Sequence, residues 1–181
     1  MAYVTLLVVF GGIVLLIILA YNKLVSLKNQ TENAWSQIEV QLKRRHDLIP
    51  NLVSAVKGYM KHEKGVLERI TELRSGLVKG DINSKAKTNN MLSNALKSIF
   101  AVAEAYPKLM ASTNFLNLQE ELSATESKIS YSRQFYNDAV YNLNTAIQSF
   151  PTNIIAGVFN FSEKEYFGIE EAARKPVKVE F

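Results

Sequence analysis

Apolar side chains occupy the beginning of the chain almost without interruption. Ala2 to Asn22 contains no charged residue, and the first one is Lys23. A helix of about 20 such residues spans the hydrocarbon core of a bilayer, which is about 30 Å thick. A secretory signal peptide would instead have a basic residue before a shorter apolar run and a small-residue cleavage site after it. The pattern therefore predicts a retained transmembrane anchor over residues 1–22.

Beyond the anchor, apolar positions recur every three or four residues, which is the period of an amphipathic helix. One stripe consists of Leu24, Leu27, Thr31, Trp35, Ile38 and Leu42. A second begins after Pro50, and a third is ended by Pro107. The fourth and longest runs from Phe115 to Phe150 with the spacing of bundles and coiled coils. No segment alternates apolar and polar positions for long enough to predict a strand.

Four apolar stripes must be buried against one another, so the pattern predicts an all-α fold. We expect a transmembrane helix followed by an antiparallel four-helix bundle over residues 23–150. A short C-terminal tail, residues 151–181, would then begin near the bilayer. Its aromatic residues would either cap the open end of the bundle or lie at the membrane interface. With the last residue of the fourth stripe they are Phe150, Phe159, Phe161, Tyr166 and Phe167.

The segment "HDLIPN" interrupts an otherwise helical stretch. Asp47 is typical of turns, and a proline disfavours helical geometry at the residue before it, here Ile49. We expect one helix to end here and the next to begin with Pro50 in its first turn. A kink within one continuous helix is the alternative.

The net charge of +4 is unevenly distributed. Lys23 to Gly80 holds eleven basic and six acidic residues, so the excess belongs to the part that leaves the bilayer. Attraction to an anionic leaflet explains this excess better than binding to nucleic acid does. Proteins that bind single strands interleave aromatic and basic residues, and this part of the chain does not. Positive residues beside a span stay in the cytoplasm. We therefore expect a single-pass protein of the cytoplasmic membrane, with its N-terminus outside and its bundle in the cytoplasm.

The residues that carry catalytic and metal chemistry are sparse. The chain has no cysteine, and its only histidines, His46 and His62, lack the Glu-x-x-His spacing of di-metal bundles. Neither a Gly-x-Ser-x-Gly turn nor a phosphate-binding glycine loop is present. We expect no catalytic residue, no metal and no cofactor, and thus no enzyme. The one hydrolase hypothesis that remains uses His62 and Glu63.

Several polar residues fall at or beside positions that the stripes place inside. Glu63 is inward on the second stripe, and a buried carboxylate needs a partner, for which Arg133 or Lys57 is suited. Such residues form a network that fixes helix register or binds a ligand, or else the stripe drifts and Glu63 is half exposed. The other residues of this kind are Glu104, Thr125, Glu126, Ser132 and Asn137.

The basic run Lys43, Arg44 and Arg45 spreads around most of a helix circumference, so its members cannot all face one way. One of them would cap the C-terminal end of the first bundle helix, where cations are favoured. The others would be solvated or would meet an acidic partner.

Three segments in this order resemble the LemA family of bacterial membrane proteins: "YNKLVSLKN", "AWSQIEVQLKRRHDLIPNLVSAVKGYMKHE" and "AVAEAYPKLMASTNFLNLQEELSATESKISYSRQFYNDAVYNLNTAIQSFP". The resemblance implies a membrane-anchored helical bundle without known enzymatic activity or catalytic residues. It also implies kinship with a protein used in building magnetosome membranes, and genetic association with a membrane zinc protease of the HtpX type.

These observations favour a non-enzymatic scaffold or adaptor that acts through protein–protein association at the membrane. Its partners would be the lipid bilayer and other membrane proteins, but not nucleic acid. Self-association of spans has support from Gly11 and Gly12, although these lack the GxxxG spacing. The alternative function is that of an accessory or regulator of a membrane zinc protease of the HtpX type.

Overall fold

The computed structural model describes residues 1–60 and 62–168, which form six helices and no strand. The all-α class is therefore confirmed, while the antiparallel four-helix arrangement over residues 23–150 stays a prediction. The helices are α1 (Ala2–Lys57), α2 (Lys64–Gly76), α3 (Ile82–Ala103), α4 (Pro107–Met110), α5 (Thr113–Gln148) and α6 (Thr152–Val158).

Helix α1 is continuous over 56 residues and contains Pro50. The predicted turn at "HDLIPN" is therefore wrong, and the helix continues to Lys57. A proline inside a helix has no N–H to donate to the carbonyl four residues earlier, here that of His46. Arg74 Nε of α2 donates to this carbonyl oxygen instead, at 2.9 Å. Ile49 and Leu52 are fully buried on either side of Pro50, and this packing also holds the helical geometry.

The chain divides into two compact units. Unit 1 consists of Met1–Ser36 and Phe135–Glu165, and unit 2 of Gln37–Gln134 together with, among the described residues, 166–168. The sequence-predicted limits at residues 22 and 150 stay a prediction.

In unit 1, the part of α1 beyond the apolar segment packs against α5 and α6. Leu24, Ala146 and Ala156 form a buried cluster that Leu27 and Ile147 extend. Farther along, Thr31 Oγ1 donates to the backbone oxygen of Ala139 at 3.3 Å, and the rings of Trp35 and Tyr136 lie 5.3 Å apart. The sequence stripe through these α1 residues is the one that the structure buries.

In unit 2, α1, α2, α3 and α5 all contribute buried apolar side chains. They include Ile38, Leu42, Leu52 and Val56 of α1, Leu67 and Ile70 of α2, Leu92, Leu96 and Ile99 of α3, and Phe115, Leu122 and Ile129 of α5. Helices α2 and α3 approach closely at Gly76, where a Cβ atom would lie 2.8 Å from Thr88 Oγ1. Glycine is needed at this contact because any larger residue would displace the threonine.

Candidate functional site

The N-terminal part of α1 is apolar and exposed. Its most apolar window of 18 residues has a mean hydropathy of 2.8, and none of it is buried. Exposing so much apolar surface to water is unfavourable, and monomeric soluble proteins therefore rarely carry such patches. Among the described residues this is the one helix whose length and composition suit a membrane span.

A group of aromatic side chains lies in unit 1 where this apolar segment ends; we call Tyr21, Phe159 and Phe161 the aromatic collar. The ring centroid of Tyr21 is 4.8 Å from that of Phe159 and 5.9 Å from that of Phe161. Tyr21 comes two residues before the first charged residue of α1, Lys23. Aromatic rings with a polar edge are favoured at the boundary between bilayer and water. The collar therefore lies at the level of α1 where a span would leave the hydrocarbon.

The described chain after the collar, residues 162–168, has no regular secondary structure and is held to α5 by hydrogen bonds. Asn144 Nδ2 donates to the backbone oxygen of Lys164, and Lys164 N donates to Asn144 Oδ1, both at 2.9 Å. Tyr136 Oη donates to the backbone oxygen of Glu165 at 2.8 Å. Gln148 Nε2 donates to Glu163 Oε1 at 2.9 Å. These bonds fix residues 163–165 in unit 1.

Burial, and to a lesser extent the charge of Glu165, raises the pKa of Tyr136 to about 12. The neutral hydroxyl is thus favoured, because a buried phenolate would lose its hydration and would lie near a carboxylate. Tyr136 is a structural donor at neutral pH and carries no charge there.

Four apolar side chains of α6 and its flanks are exposed, and we call them the α6 face. Phe150 is 80% exposed, Ile154 55%, Val158 67% and Phe159 50%. The interior position expected for Phe150 at the end of the fourth stripe is wrong, because α5 ends at Gln148 and helical periodicity does not continue past a helix end. Of the tail aromatics, Phe167 is buried in unit 2 and Tyr166 is exposed.

Unit 2 contains a buried polar network centred on Arg45. Its Nη1 atom donates to Asn89 Oδ1 at 2.6 Å, to Ser93 Oγ at 3.1 Å and to Glu126 Oε2 at 2.5 Å. Ser93 Oγ also donates to Glu126 Oε1 at 2.9 Å. Three helices thus meet through one guanidinium, which restricts how they can slide past one another.

The Arg45 network is incompletely satisfied. Arg45 Nε and Asn89 Nδ2 are buried and have no hydrogen-bond partner among the described residues. Burial lowers the pKa of Arg45, and the interaction with Glu126 opposes that effect. The guanidinium nevertheless stays protonated at neutral pH because its pKa in water is so high. A cavity of about 180 Å³ lies next to the Arg45–Glu126 pair. It is lined by the apolar residues Leu96, Phe100 and Leu122 and by polar residues that include Ser93 and Lys97.

A second arginine of α5 makes a smaller set of contacts. Arg133 Nη2 donates to Asn90 Oδ1 at 3.3 Å, and its guanidinium carbon lies 5.4 Å from the ring centroid of Phe167. Stacking of this kind is favourable because the ring face is negative. The contact ties the end of the described tail to α5 within unit 2.

An open groove of about 460 Å³ lies between the end of α1 and α2 in unit 2. Its apolar lining comes from Val53, Met60 and Leu67. The charged residues around it are Lys57, Lys64 and Glu68. Such a groove can receive an apolar side chain while its rim stays in water.

A model of the LemA family matches residues 34–181. The chain belongs to the LemA family.

This LemA-family chain is 28% identical over 158 residues to Protein LemA of Metamycoplasma hominis, an alignment covering 86% of the chain and 72% of the relative. It is 25% identical over 188 residues to Magnetosome protein MamQ 2 of Paramagnetospirillum magneticum, covering 89% of the chain and 69% of the relative. Magnetosome protein MamQ of Magnetospirillum gryphiswaldense is 22% identical with the same coverage. The family resemblance read from the sequence is confirmed.

The inward position predicted for Glu63 is only partly realised in this LemA-family chain. Glu63 is half-buried and precedes α2, and its side chain makes no capping hydrogen bond. Within the described residues, neither Arg133 nor Lys57 forms a salt bridge or hydrogen bond with Glu63, and Arg133 instead contacts Asn90 and Phe167. His62 is exposed, and within residues 1–60 and 62–168 no three His, Asp or Glu side chains converge as metal ligands. The predicted lack of catalytic residues, metals and cofactors stays a prediction.

The other inward polar residues have mixed outcomes. Thr125 is fully buried and donates to the backbone oxygen of Glu121 at 2.7 Å, and Glu126 belongs to the Arg45 network. Ser132 and Asn137 are half-buried, whereas Glu104 is exposed because it lies just past the end of α3.

The run Lys43, Arg44 and Arg45 was expected to supply a helix cap and residues that are solvated or meet an acidic partner. Arg45 does meet one, Glu126, but its full burial was not predicted. The signal was present in its register. Arg45 continues the spacing of Ile38 and Leu42 toward Ile49, and all of these positions are buried. Arg44 is exposed and does meet an acidic partner, Glu121, at 2.5 Å.

Proposed function

We propose that this LemA-family chain is a non-enzymatic scaffold or adaptor, anchored in the cytoplasmic membrane by residues 1–22 and acting through protein–protein association. One observation carries the proposal. The exposed, uncharged segment continues without a break into the rest of α1 up to Lys57. A helix that ends inside a bilayer leaves backbone groups without hydrogen-bond partners, which is costly. Helix α1 avoids this cost because it continues past the apolar segment.

The cytoplasmic placement of the helical body is supported by charge. Lys23 and Lys28 follow the uncharged span closely, and Lys43 and Arg44 come farther along the chain. Basic residues are retained on the cytoplasmic side during insertion.

Association with a partner protein is supported by the groove beside α2. A helix of a partner membrane protein would place one apolar side chain against Leu67 and its charged residues against Lys64 and Glu68. The relatives' names include two magnetosome proteins, and none of these names states a reaction. The role of accessory to a membrane zinc protease of the HtpX type stays an untested prediction.

Topology is tested with single cysteines, since the chain has none of its own. Ala2→Cys and Ser127→Cys variants are treated in intact cells with a membrane-impermeant maleimide. We expect labelling of the first variant alone until the cells are lysed. Labelling of Ser127→Cys in intact cells would contradict a cytoplasmic body.

Association is tested by placing a photo-crosslinking residue at Lys64, on the groove, and at Glu120, exposed on α5, as the matched control. We expect crosslinked protein adducts from Lys64 and few from Glu120. A second copy of the chain in the adduct would make the assembly homomeric. Only unassociated monomers, both in cells and in liposomes, would overturn the adaptor role.

A further inference from the structure

The geometry points to a second membrane contact: the α6 face inserts its apolar side chains into the headgroup region of the leaflet through which α1 leaves the bilayer. The α6 face is Phe150, Ile154, Val158 and Phe159, as defined above. The inference rests on the proposed anchoring by residues 1–22. It adds that the chain meets the membrane at two places rather than one.

Helix α6 packs on α1 at the level where the apolar segment ends. Ala156 of α6 lies in one buried cluster with Leu24, and Phe159 contacts Tyr21. Leu24 is two residues beyond Asn22, which corresponds to about 3 Å along a helix. Helix α6 is therefore attached to α1 within one turn of the point where charge first appears, at Lys23. An apolar face at that level is adjacent to lipid.

Helix α6 carries apolar side chains on two sides. Ile155 and Ala156 pack toward the core of unit 1, whereas Ile154 and Val158 point away from it and are exposed. Aliphatic and aromatic side chains on one face of a short helix insert about 5–10 Å into the boundary between headgroups and acyl chains. In water, Ile154 and Val158 of this face would be exposed apolar side chains.

The region around α6 also lacks charged residues. No charged residue occurs between Asp138 and Glu163, a run that includes the end of α5, the turn and all of α6. Lowering this region toward hydrocarbon therefore requires no ion to lose its hydration. Lys28 and Lys164 line a cavity of about 390 Å³ beside the collar residues Tyr21 and Phe159. Their charges suit anionic headgroups at the same depth.

The test uses the full chain with a single cysteine carrying the polarity-sensitive dye NBD, reconstituted in vesicles of neutral and anionic phospholipid. The labelled variants are Ile154→Cys and Val158→Cys. The control is Ser127→Cys, which lies between Glu126 and Lys128 on α5, where flanking charges resist burial. We expect blue-shifted, brighter emission from the first two, at least twofold quenching by lipids spin-labelled near the headgroup, and the spectrum of aqueous dye from the control.

Each outcome decides the inference. Emission typical of water at both α6 positions would overturn it. A blue shift without quenching by spin-labelled lipid would mean that protein covers the face, and would overturn it as well. If the chain resists carbonate extraction while the α6 dyes stay in water, only this inference fails. If the chain is extracted from the membrane, the proposed anchoring fails with it.

A charge variant provides the second measurement. In an Ile154→Asp, Val158→Cys–NBD chain the aspartate opposes insertion, and we expect the lipid quenching at Val158 to be lost while the chain remains in the membrane fraction. An Asn153→Asp change on the same helix is the matched control. Equal quenching in the two aspartate variants would contradict insertion of the Ile154 side of the helix.

Discussion

Arg74 Nε donates a hydrogen bond to the backbone oxygen of His46 at 2.9 Å, and His46 is the residue four positions before Pro50. The arginine thus occupies the acceptor that the proline leaves without its amide donor. This contact joins α2 to α1 within unit 2 and allows α1 to continue to Lys57.

Replacing Pro50 with alanine should therefore stabilise the protein. The alanine supplies an N–H to the His46 carbonyl and removes the ring clash. Part of this gain is lost because the unfolded chain has more conformational entropy with alanine than with proline. We expect a free energy of unfolding higher by about 1–2 kcal/mol, measured by denaturant titration of the full chain in detergent. If Pro50 began a new helix after a turn, alanine there would be neutral or destabilising.

The same carbonyl links the two residues energetically. Arg74→Met should cost about 1 kcal/mol in the wild-type background, because the oxygen of His46 loses its donor. In the Pro50→Ala background the cost should fall, since the alanine amide then satisfies the oxygen. A double-mutant cycle with no coupling between the two positions would argue against this division of roles.

The Arg45–Glu126 pair is asymmetric in burial, with side-chain exposures of 1% and 39%. Glu126→Ala should destabilise the protein by about 2–4 kcal/mol, because it leaves a buried guanidinium without its counter-charge. The double variant Arg45→Met, Glu126→Ala should be more stable than Glu126→Ala alone. Chemical denaturation of the wild type and the two variants checks the order, and a double variant less stable than Glu126→Ala would contradict it.

Tyr136 gives the stability a dependence on alkaline pH. Its folded pKa of about 12 lies above the ordinary value of 10.0, so the folded state keeps the proton to a higher pH than the unfolded chain does. This contribution is fully present below about pH 10 and is lost as pH rises through about 12. Wild type should exceed Tyr136→Phe by about 1 kcal/mol at neutral pH, and the difference should shrink above about pH 10. Tyr131→Phe, at an exposed position, should show no such change.

Two glycines of α2 should respond to alanine with opposite signs. At Gly65 an added Cβ meets nothing within 4 Å, so higher helix propensity should stabilise the protein by about 0.5–1 kcal/mol. At Gly76 it would come within 3.0 Å of Thr88, whose β-branched side chain has few alternative rotamers. We expect Gly76→Ala to lower the free energy of unfolding, measured by thermal denaturation, by about 1–2 kcal/mol. Adding Thr88→Ala should restore part of the loss.

Asn144 should control protease access to the end of unit 1. Its amide pairs with both backbone groups of Lys164, so Asn144→Ala leaves two partly buried polar groups unpaired, at about 1–3 kcal/mol. Limited proteolysis should then cleave near residue 164 several-fold faster. Asn142→Ala, at an exposed position two residues away, is the control and should cleave as wild type does.

The sequence by itself determined the helical class, the anchor candidate and the family. A charge-free run long enough for a bilayer and a period of three to four residues are properties of neighbouring positions, and every helix expresses them locally. Leu24, Thr31, Ile38 and Leu42 were expected inside on that basis and are buried. Local patterns suffice wherever one element alone sets the outcome.

The tertiary structure alone decided whether α1 continues past Pro50, where Arg45 lies and which side of α6 is exposed. Each outcome depends on a group distant in the sequence: Arg74 for the His46 carbonyl, Asn89 and Glu126 for the guanidinium, and Leu24 for Ala156. Helix propensity penalises an interior proline, and desolvation penalises a buried arginine, by a few kcal/mol each, and such long-range contacts offset these costs. Only the packed chain contains those contacts.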